Sequence, residues 1–407
     1  MITRRSLLGG LAAGAATASG IALAGSAIGT PAPTRRVAAP DGRSAAGMPL
    51  HIVNNSGEYA NSSVWIYIVG NDGTQQVRVT PEGELKPVAM ADNGSDGFTD
   101  YAIPLAAGGT TTLQLPQMSG RIYTALGSKL KFKAVEDGNG KAALAYPAGW
   151  VSSDPNYDVL HDCAEFTYNS GGMYCNTTMV DMFSVPLAIK LTGAKDQTTG
   201  TLKDGARAKV FADVKGAEGF DALVIDDKRV IAPGHGLDSG LFGKDHLAPA
   251  IDEAWSAYEA KDLTVTTNAG TFTGRVTGGK LAFTGPQGLK GQGGAPTGTV
   301  SFDKPSTRDV LFCDGTLAAP NDGTLGPVAA ILGAALNRST LLSHADQPTT
   351  DPAAFYQERL TNHYAKAMHA ATEDGRAYGF AFDDVAGFAS YIEDGAPKEI
   401  TLTLTPF

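Results

Sequence analysis

Only three cysteines occur in the 407 residues, Cys163, Cys175 and Cys313. So few exclude the disulfide framework of small secreted domains, and without a Cys-x-x-Cys pair there is no zinc-ribbon spacing. One disulfide at most could form. The reading is buried thiols that act as small hydrophobes. Charge is also scarce, at 18% of residues against 43% hydrophobic, which argues against a disordered chain. The 32 Lys and Arg face 42 Asp and Glu, for a formal net charge of −10. No basic cluster lies outside the N-terminal region, so nucleic acid and anionic membrane surfaces are excluded as partners. Beyond the N-terminal leader no apolar run is long enough to cross a bilayer.

Catalytic signatures are missing too. The seven histidines include no His-Glu-x-x-His, and His363 and His369 are six apart, hence on different helix faces. There is no Gly-x-Ser-x-Gly elbow. The Gly-rich stretch from Gly288 to Gly298 has no Lys-Ser/Thr and reads as a loop, not a phosphate cradle. Asp137-Gly138-Asn139-Gly140 lacks the closing Glu of a calcium loop and reads as a turn. Neither a metal nor a cofactor is expected.

What is abundant is glycine, 50 residues in all, well above the usual ~7%. Many turns with few charges favour short strands. Thr3-Arg4-Arg5-Ser6-Leu7-Leu8 and the Ala/Gly/Leu run after it read as a twin-arginine export signal over residues 1–24, ending at Ala22-Leu23-Ala24. Residues 25–46 read as a flexible linker. The expectation is a protein exported from a bacterial cytoplasm, off the membrane once the signal is cleaved, and monomeric.

From residue 48 short β-prone runs alternate with Asn/Gly turns, as at Leu50 to Val53, Val64 to Val69 and Thr111 to Leu115. Near residue 195 the pattern changes. Ala206 to Phe211 could be strand or helix end. Pro249 to Ala260 puts Ile251, Ala254, Trp255 and Tyr258 on one helical face. Leu263 to Phe283 alternates as a meander, and Leu325 to Leu336 is a buried helix. Asp351-Pro352 predicts a helix running to about Thr372, stopped near Gly375. Strands are expected at Ala377 to Phe382 and Glu399 to Leu404. The architecture expected is mainly β with α/β: a β-sandwich or barrel domain over 47–196 plus 374–407, with a mixed α/β domain inserted over 197–373. Trp65, Trp150 and Trp255 are expected in the core.

The stretch richest in chemistry is Glu165-Phe166-Thr167-Tyr168-Asn169, a Ser170-Gly171-Gly172 turn, and the return strand to Asp181. Period two sets Glu165, Thr167 and Asn169 on one face, and Tyr174, Asn176 and Thr178 on one face of the return strand. Carboxylate, hydroxyl and amide in a row do not make a core face; they face solvent or a binding groove. Asp181 is one residue out of phase. It joins that face only if a bulge or strand end lies between Thr178 and Asp181.

The run Cys-Asn-Thr-Thr-Met-Val-Asp-Met-Phe-Ser-Val-Pro over 175–186, after Glu-Phe-Thr-Tyr-Asn over 165–169, strongly resembles glycoside hydrolase family 64, bacterial β-1,3-glucanases of the laminaripentaose-producing type. The resemblance extends through Ser119-Gly120-Arg121-Ile122-Tyr123, Ala319-Pro320-Asn321-Asp322 and Ala377 to Val385. It implies a thaumatin-like β-barrel domain and a mixed α/β domain forming a wide groove. It also implies a neutral β-1,3-glucan as substrate and an inverting mechanism. By that resemblance Glu165 is the general acid and Asp181 the general base. Thr167, Asn169, Tyr174 and Thr178 line sugar subsites, with Tyr174 where family members carry Trp. Cys163 also stands where a relative carries a bulkier aromatic. Asp383 and Asp384 resemble the acidic cleft motif of thaumatin-like proteins. The competing reading is a thaumatin-like protein that binds β-glucan without cleaving it.

Overall fold

The computed structural model describes residues 47–286, 299–320 and 322–407. The expected export signal, the linker before residue 47, the whole Gly288 to Gly298 stretch and Asn321 lie outside the described residues. The fold is mainly β with a smaller helical part. A five-stranded sheet runs in the order 197–199, 187–192, 399–404, 48–54 and 111–115. A larger sheet runs 391–394, 172–177, 160–169, 118–126, 64–71, 76–79 and 85–87, with 103–104 also paired to 64–71. Among the described residues both sheets end in free edges, so they form an open sandwich and not a closed barrel.

Period-two alternation explains why the two sheets stack. Leu50, Ile52, Leu113, Ile189 and Leu402 from the smaller sheet meet Ile66, Ile68, Ile122, Ala164, Phe166 and Cys175 from the larger one in a single apolar layer. The intervening positions of the larger sheet point the other way. At one end they carry Tyr67, Tyr123 and Cys163 into an aromatic cluster with Phe132. At the other end they stay polar, and that polar patch is the face of interest.

Glycine is required where the strands come closest. A Cβ at Gly120 would lie 2.2 Å from the Val69 carbonyl oxygen. Gly172 has φ +131, and a Cβ there would lie 2.2 Å from the Asp394 carbonyl oxygen.

The remaining residues build a second core. Helix Ala248–Ala260 buries Ile251, Ala254, Trp255 and Tyr258, the face expected. The meander pairs as expected over 263–267, 270–277 and 280–284. Helix Leu325–Asn337 is buried along nearly its whole length. Ala206–Gly216 is a helix. The strand Gln197–Thr199 belongs to the five-stranded sheet, while Ala377, Phe380 and Val385 pack into the helical core. Trp150 and Trp255 are buried and Trp65 half-buried. All three cysteines are buried free thiols.

Two expected elements of secondary structure are corrected. The helix from Asp351 is only a short turn, Pro352–Ala354, although Asp351 caps it by accepting the Ala353 N–H. The chain then leaves helical geometry to pair with the end of the buried helix. Tyr356 N–H donates to the Arg338 carbonyl, and Asn362 N–H and the Thr361 hydroxyl donate to that of Asn337. Asn362 caps a new helix, His363–Ala371. Ala377 to Phe382 forms no strand, because the chain there curls around Asp383.

Asp383 is fully enclosed. It accepts from Arg338 Nη2 at 3.0 Å, His369 Nε2 at 3.0 Å and Gly379 N–H at 2.9 Å. It cannot meet a sugar, which corrects the substrate-binding role expected for it. Burial pushes its carboxyl up, but the His369 charge and bond, Arg338 and the Gly379 N–H hold it below the ordinary range. Burial opposes charging of His369, yet Asp383 and the Gly375 carbonyl raise it above its ordinary value.

Asp383→Leu leaves Arg338 buried without its carboxylate and should cost roughly 3–5 kcal/mol, read by chemical denaturation. The pH dependence follows from the signs. The Asp383 contribution is present above an unfolded value of about 3.9 and is lost as pH falls through its depressed folded value. The His369 contribution is full below about 6.5 and is lost as pH rises through its raised folded value. Stability from this triad should peak between about pH 4 and 6.5, and Asp383→Leu should flatten that peak.

Candidate active site

The strand Leu160–Asn169 turns through Ser170 and Gly171 into Gly172–Thr177, the hairpin expected. Its register sets Arg121, Glu165, Asn176 and Tyr391 opposite one another across four strands. The next row is Ser119, Thr167, Tyr174 and Glu393. Antiparallel partners share a face, so these side chains stand together on the polar patch.

Arg121 organises it. Its Nε and Nη2 both donate to Glu165 Oε1, at 3.1 and 2.9 Å. Its Nη1 lies 3.6 Å from Asp181 Oδ2 and donates to the Tyr123 hydroxyl at 3.3 Å. One planar guanidinium therefore touches both carboxylates, and its width bounds their separation. Asp181 reaches this face because the strand ends at Thr177 and residues 178–181 leave sheet geometry. The out-of-phase spacing calls for a strand end between Thr178 and Asp181; the strand ends one residue earlier, so Thr178 leaves the sheet together with Asp181.

The Asp181 segment is tied on every side. Met179 N–H donates to the Tyr378 carbonyl at 2.9 Å, and the Tyr364 hydroxyl to that of Met179 at 2.6 Å. Ala232 N–H donates to the Asp181 carbonyl at 3.1 Å. Just beyond, Ser184 and Val185 N–H donate to buried Asp162, on the same strand as Glu165. Met182–Phe183 pairs with Arg229–Ile231, which leads into a short helix carrying His235. His235 Nε2 lies 2.8 Å from Asp181 Oδ1. Its ring stacks on Trp150 at 4.3 Å and meets the Phe312 edge at 5.5 Å. Burial pushes the Asp181 carboxyl up, but the His235 bond, Arg121 and the His235 charge outweigh it, so Asp181 sits below the ordinary carboxylate value. Asp181 is thus held as a carboxylate that can accept a proton.

The expected subsite residues do not fall in one place. Thr167 is half-buried on the Glu165 face, its hydroxyl bonded to that of Ser119. Asn169 is exposed and accepts the Gly171 N–H at 2.7 Å, closing the turn. Tyr174 stands at the rim of a cleft of about 440 Å³ shared with Lys195 and Glu393. Thr178 is buried, and with Asp181, Arg121, Trp150, His161 and Cys163 it lines a chamber of about 20 Å³, enough for one water. Asp384 is half-buried and near the buried Tyr378 phenol, which burial, Asp384 and Glu165 together push up. Local sequence does not mark Arg121, His235 or Trp150 as site residues. Arg121 lies in the run Ser119-Gly120-Arg121-Ile122-Tyr123, but its partner is set by strand register.

Among the described residues no group of three His, Cys, Asp or Glu is placed to hold a metal ion. No helix there is long and apolar enough to cross a membrane. The arrangement is two carboxylates beside one arginine, one of them held ionised, on a face of hydroxyls, amides and phenols. Such a set can move protons at an ether-like oxygen and at a water.

The family model for beta-1,3-glucanases of glycoside hydrolase family 64 matches residues 46–404. A glucan endo-1,3-beta-glucosidase of Cellulosimicrobium cellulans is 34% identical over 400 residues, spanning 95% of this chain and 69% of the relative. A laminaripentaose-producing beta-1,3-glucanase, solved in complex with laminaritetraose, is 35% identical with a TM-score of 0.79, over 89% of this chain and 99% of that one. A beta-1,3-glucanase domain from Clostridium beijerinckii is 27% identical with a TM-score of 0.75, over 90% of this chain and 100% of that one.

His235→Phe keeps the ring against Trp150 and removes the donor to Asp181. The Asp181 carboxyl should then titrate at higher pH than in the parent, since burial is less opposed. Carboxyl-carbon NMR titration measures this. An unmoved Asp181 would show that the bond contributes nothing.

Proposed function

This chain belongs to glycoside hydrolase family 64, and we propose that Glu165 and Asp181 are the carboxylates with which it cleaves β-1,3-glucan by inversion. It is a β-1,3-glucanase acting on laminarin-type polymers. The observation that supports the site assignment is Arg121, whose single guanidinium meets one carboxylate at each end.

In this reading the glucan lies along the polar face. Glu165 gives its proton to the glycosidic oxygen as the bond from the anomeric carbon breaks. Asp181 takes a proton from a water whose oxygen bonds to that carbon from the opposite side. Inverting enzymes keep their carboxyls roughly 6.5–9.5 Å apart to admit this water, against ~5 Å in retaining ones. A guanidinium set between the two suits the wider class. His235 and Arg121 keep Asp181 ionised, as a base requires. Thr167, Asn169 and Tyr174 hydrogen-bond or stack on sugars, Thr178 faces the water-sized chamber beside Asp181 and not a sugar ring, and Asp384 adds a polar group at the edge. No step calls for a metal or cofactor.

We read the two-sheet part as the thaumatin-like unit, residues 47–196 with 374–407, and residues 197–373 as the mixed α/β unit beside it. Arg4-Arg5 and the apolar run behind them support export by the twin-arginine route, and we take the mature enzyme as a monomer.

Glu165→Gln and Asp181→Asn should each lower kcat on laminarin by roughly 10²–10⁴-fold, the usual worth of a general acid or base, with KM little changed. Proton NMR during early turnover should show the α-anomer of the new reducing end first. Initial β-anomer would overturn inversion, and full activity in either variant would remove that residue from the reaction.

A further inference from the structure

Glu165 can carry a proton on only one of its two oxygens. Oε1 already receives two N–H donors from Arg121, at 3.1 and 2.9 Å. A guanidinium has donors only and does not lose its proton in proteins, so Oε1 faces donors permanently. The acid proton must therefore sit on Oε2. The side chain within hydrogen-bonding reach there is Asn176, its cross-strand partner, with Nδ2 3.3 Å away. That is long for an N–H donor. At the same time the enclosed Oδ1 of Asn176 meets no donor among the described residues. The two ends of an amide have nearly the same shape. Turned over, Asn176 would set its unpaired oxygen against Oε2, where a protonated Glu165 supplies the missing donor.

We propose that Asn176 is a positioning residue for the acid proton: its amide oxygen accepts Oε2–H of protonated Glu165, and the amide turns to donate N–H once that proton has gone to the leaving oxygen. The inference rests on the reading of Glu165 as the general acid. Arg121 meets Oε1 in either state of the acid, and Asn176 meets Oε2 in either state, by its oxygen or by its N–H according to how the amide is turned. A reversible amide beside a fixed guanidinium lets one carboxyl exist in both states through a catalytic cycle.

The other groups around Glu165 are Arg121 on the neighbouring strand, Asp181 across the guanidinium, Cys163 on its own strand and the Tyr378 phenol. Tyr391 and Glu393 stand on the edge strand beside Asn176 and Tyr174. None of these changes when residue 176 does.

The test is the alkaline limb of the kcat–pH profile on laminarin, which reports loss of the acid proton. Asn176→Leu removes either hydrogen bond but not the side-chain bulk. If the oxygen holds the proton, the limb should move to lower pH, by about one unit. A move to higher pH would mean that Asn176 serves the ionised acid by its N–H, and no move would mean that it serves neither. Both outcomes overturn the proposal. Neutron diffraction of the parent enzyme on the acid side of the limb is a second measurement that needs no variant. Deuterium on Oε2 directed at Oδ1 of Asn176 is expected, and N–D groups of Asn176 directed at Oε2 would also overturn it. The acid assignment itself is separated by Glu165→Gln on a β-1,3-glucooligosaccharide with a nitrophenolate leaving group, which needs no protonation. Activity retained there but lost on laminarin upholds the acid whatever Asn176 does, and equal loss on both removes it.

Discussion

The contact on which the site depends is the guanidinium of Arg121 between two carboxylates. Two acids brought this close would repel, and one would hold a proton merely to relieve the charge. A guanidinium cannot give up its charge and presents a rigid fork, so it fixes where each carboxylate lies and helps to keep Asp181 ionised. The effect is unequal. Glu165 takes two of the three facing N–H groups on one oxygen, whereas Asp181 stands farther from Arg121 and closer to His235. The two carboxyls thus have different neighbours, which is what the proposed division into an acid and a base on one surface requires.

That arrangement needs two bodies of structure to meet. Arg121, Glu165 and Asn176 are delivered by strand register alone, on a sheet whose other face is an apolar layer. Asp181 is delivered by the chain leaving that sheet and joining the pairing with Arg229–Ile231. His235 comes from the helix directly beyond, and Trp150 from a loop between strands. The Arg338, Asp383 and His369 triad acts at one remove. It shapes the curl that brings the Tyr378 carbonyl to Met179 N–H, two residues before Asp181.

Legibility of the sequence divides along the same line. The hairpin, the polar face of Glu165, Thr167 and Asn169 and the need for a strand end before Asp181 all follow from period two and a Ser-Gly-Gly turn. The face of helix Ala248–Ala260 follows from period 3.6. These are local patterns, and local sequence carries them. Arg121 lies 44 residues from Glu165 and His235 54 from Asp181, so only pairing brings them together. The helix expected from Asp351 shows the converse. Its cap is real, but backbone groups at the end of a buried helix claim residues 356–362. Asp383 and Asp384 read alike as an acidic pair. Burial makes one a structural ion, and the other stands half-exposed near Tyr378.

The acidic balance of the chain then takes a narrower meaning. A net charge of −10 invites the idea that the groove itself carries the excess. The carboxylates that define the site do not support it. Glu165 is met by Arg121, Asp181 by Arg121 and His235, and buried Asp383 by Arg338 and His369. Each acid in the interior has its own cation or donor, as the cost of burying an unpaired charge requires. A neutral glucan has no charge for a negative field to attract. What it can use is a face of hydroxyls, amides and phenols, in which the two carboxyls proposed for the chemistry stand on either side of one arginine.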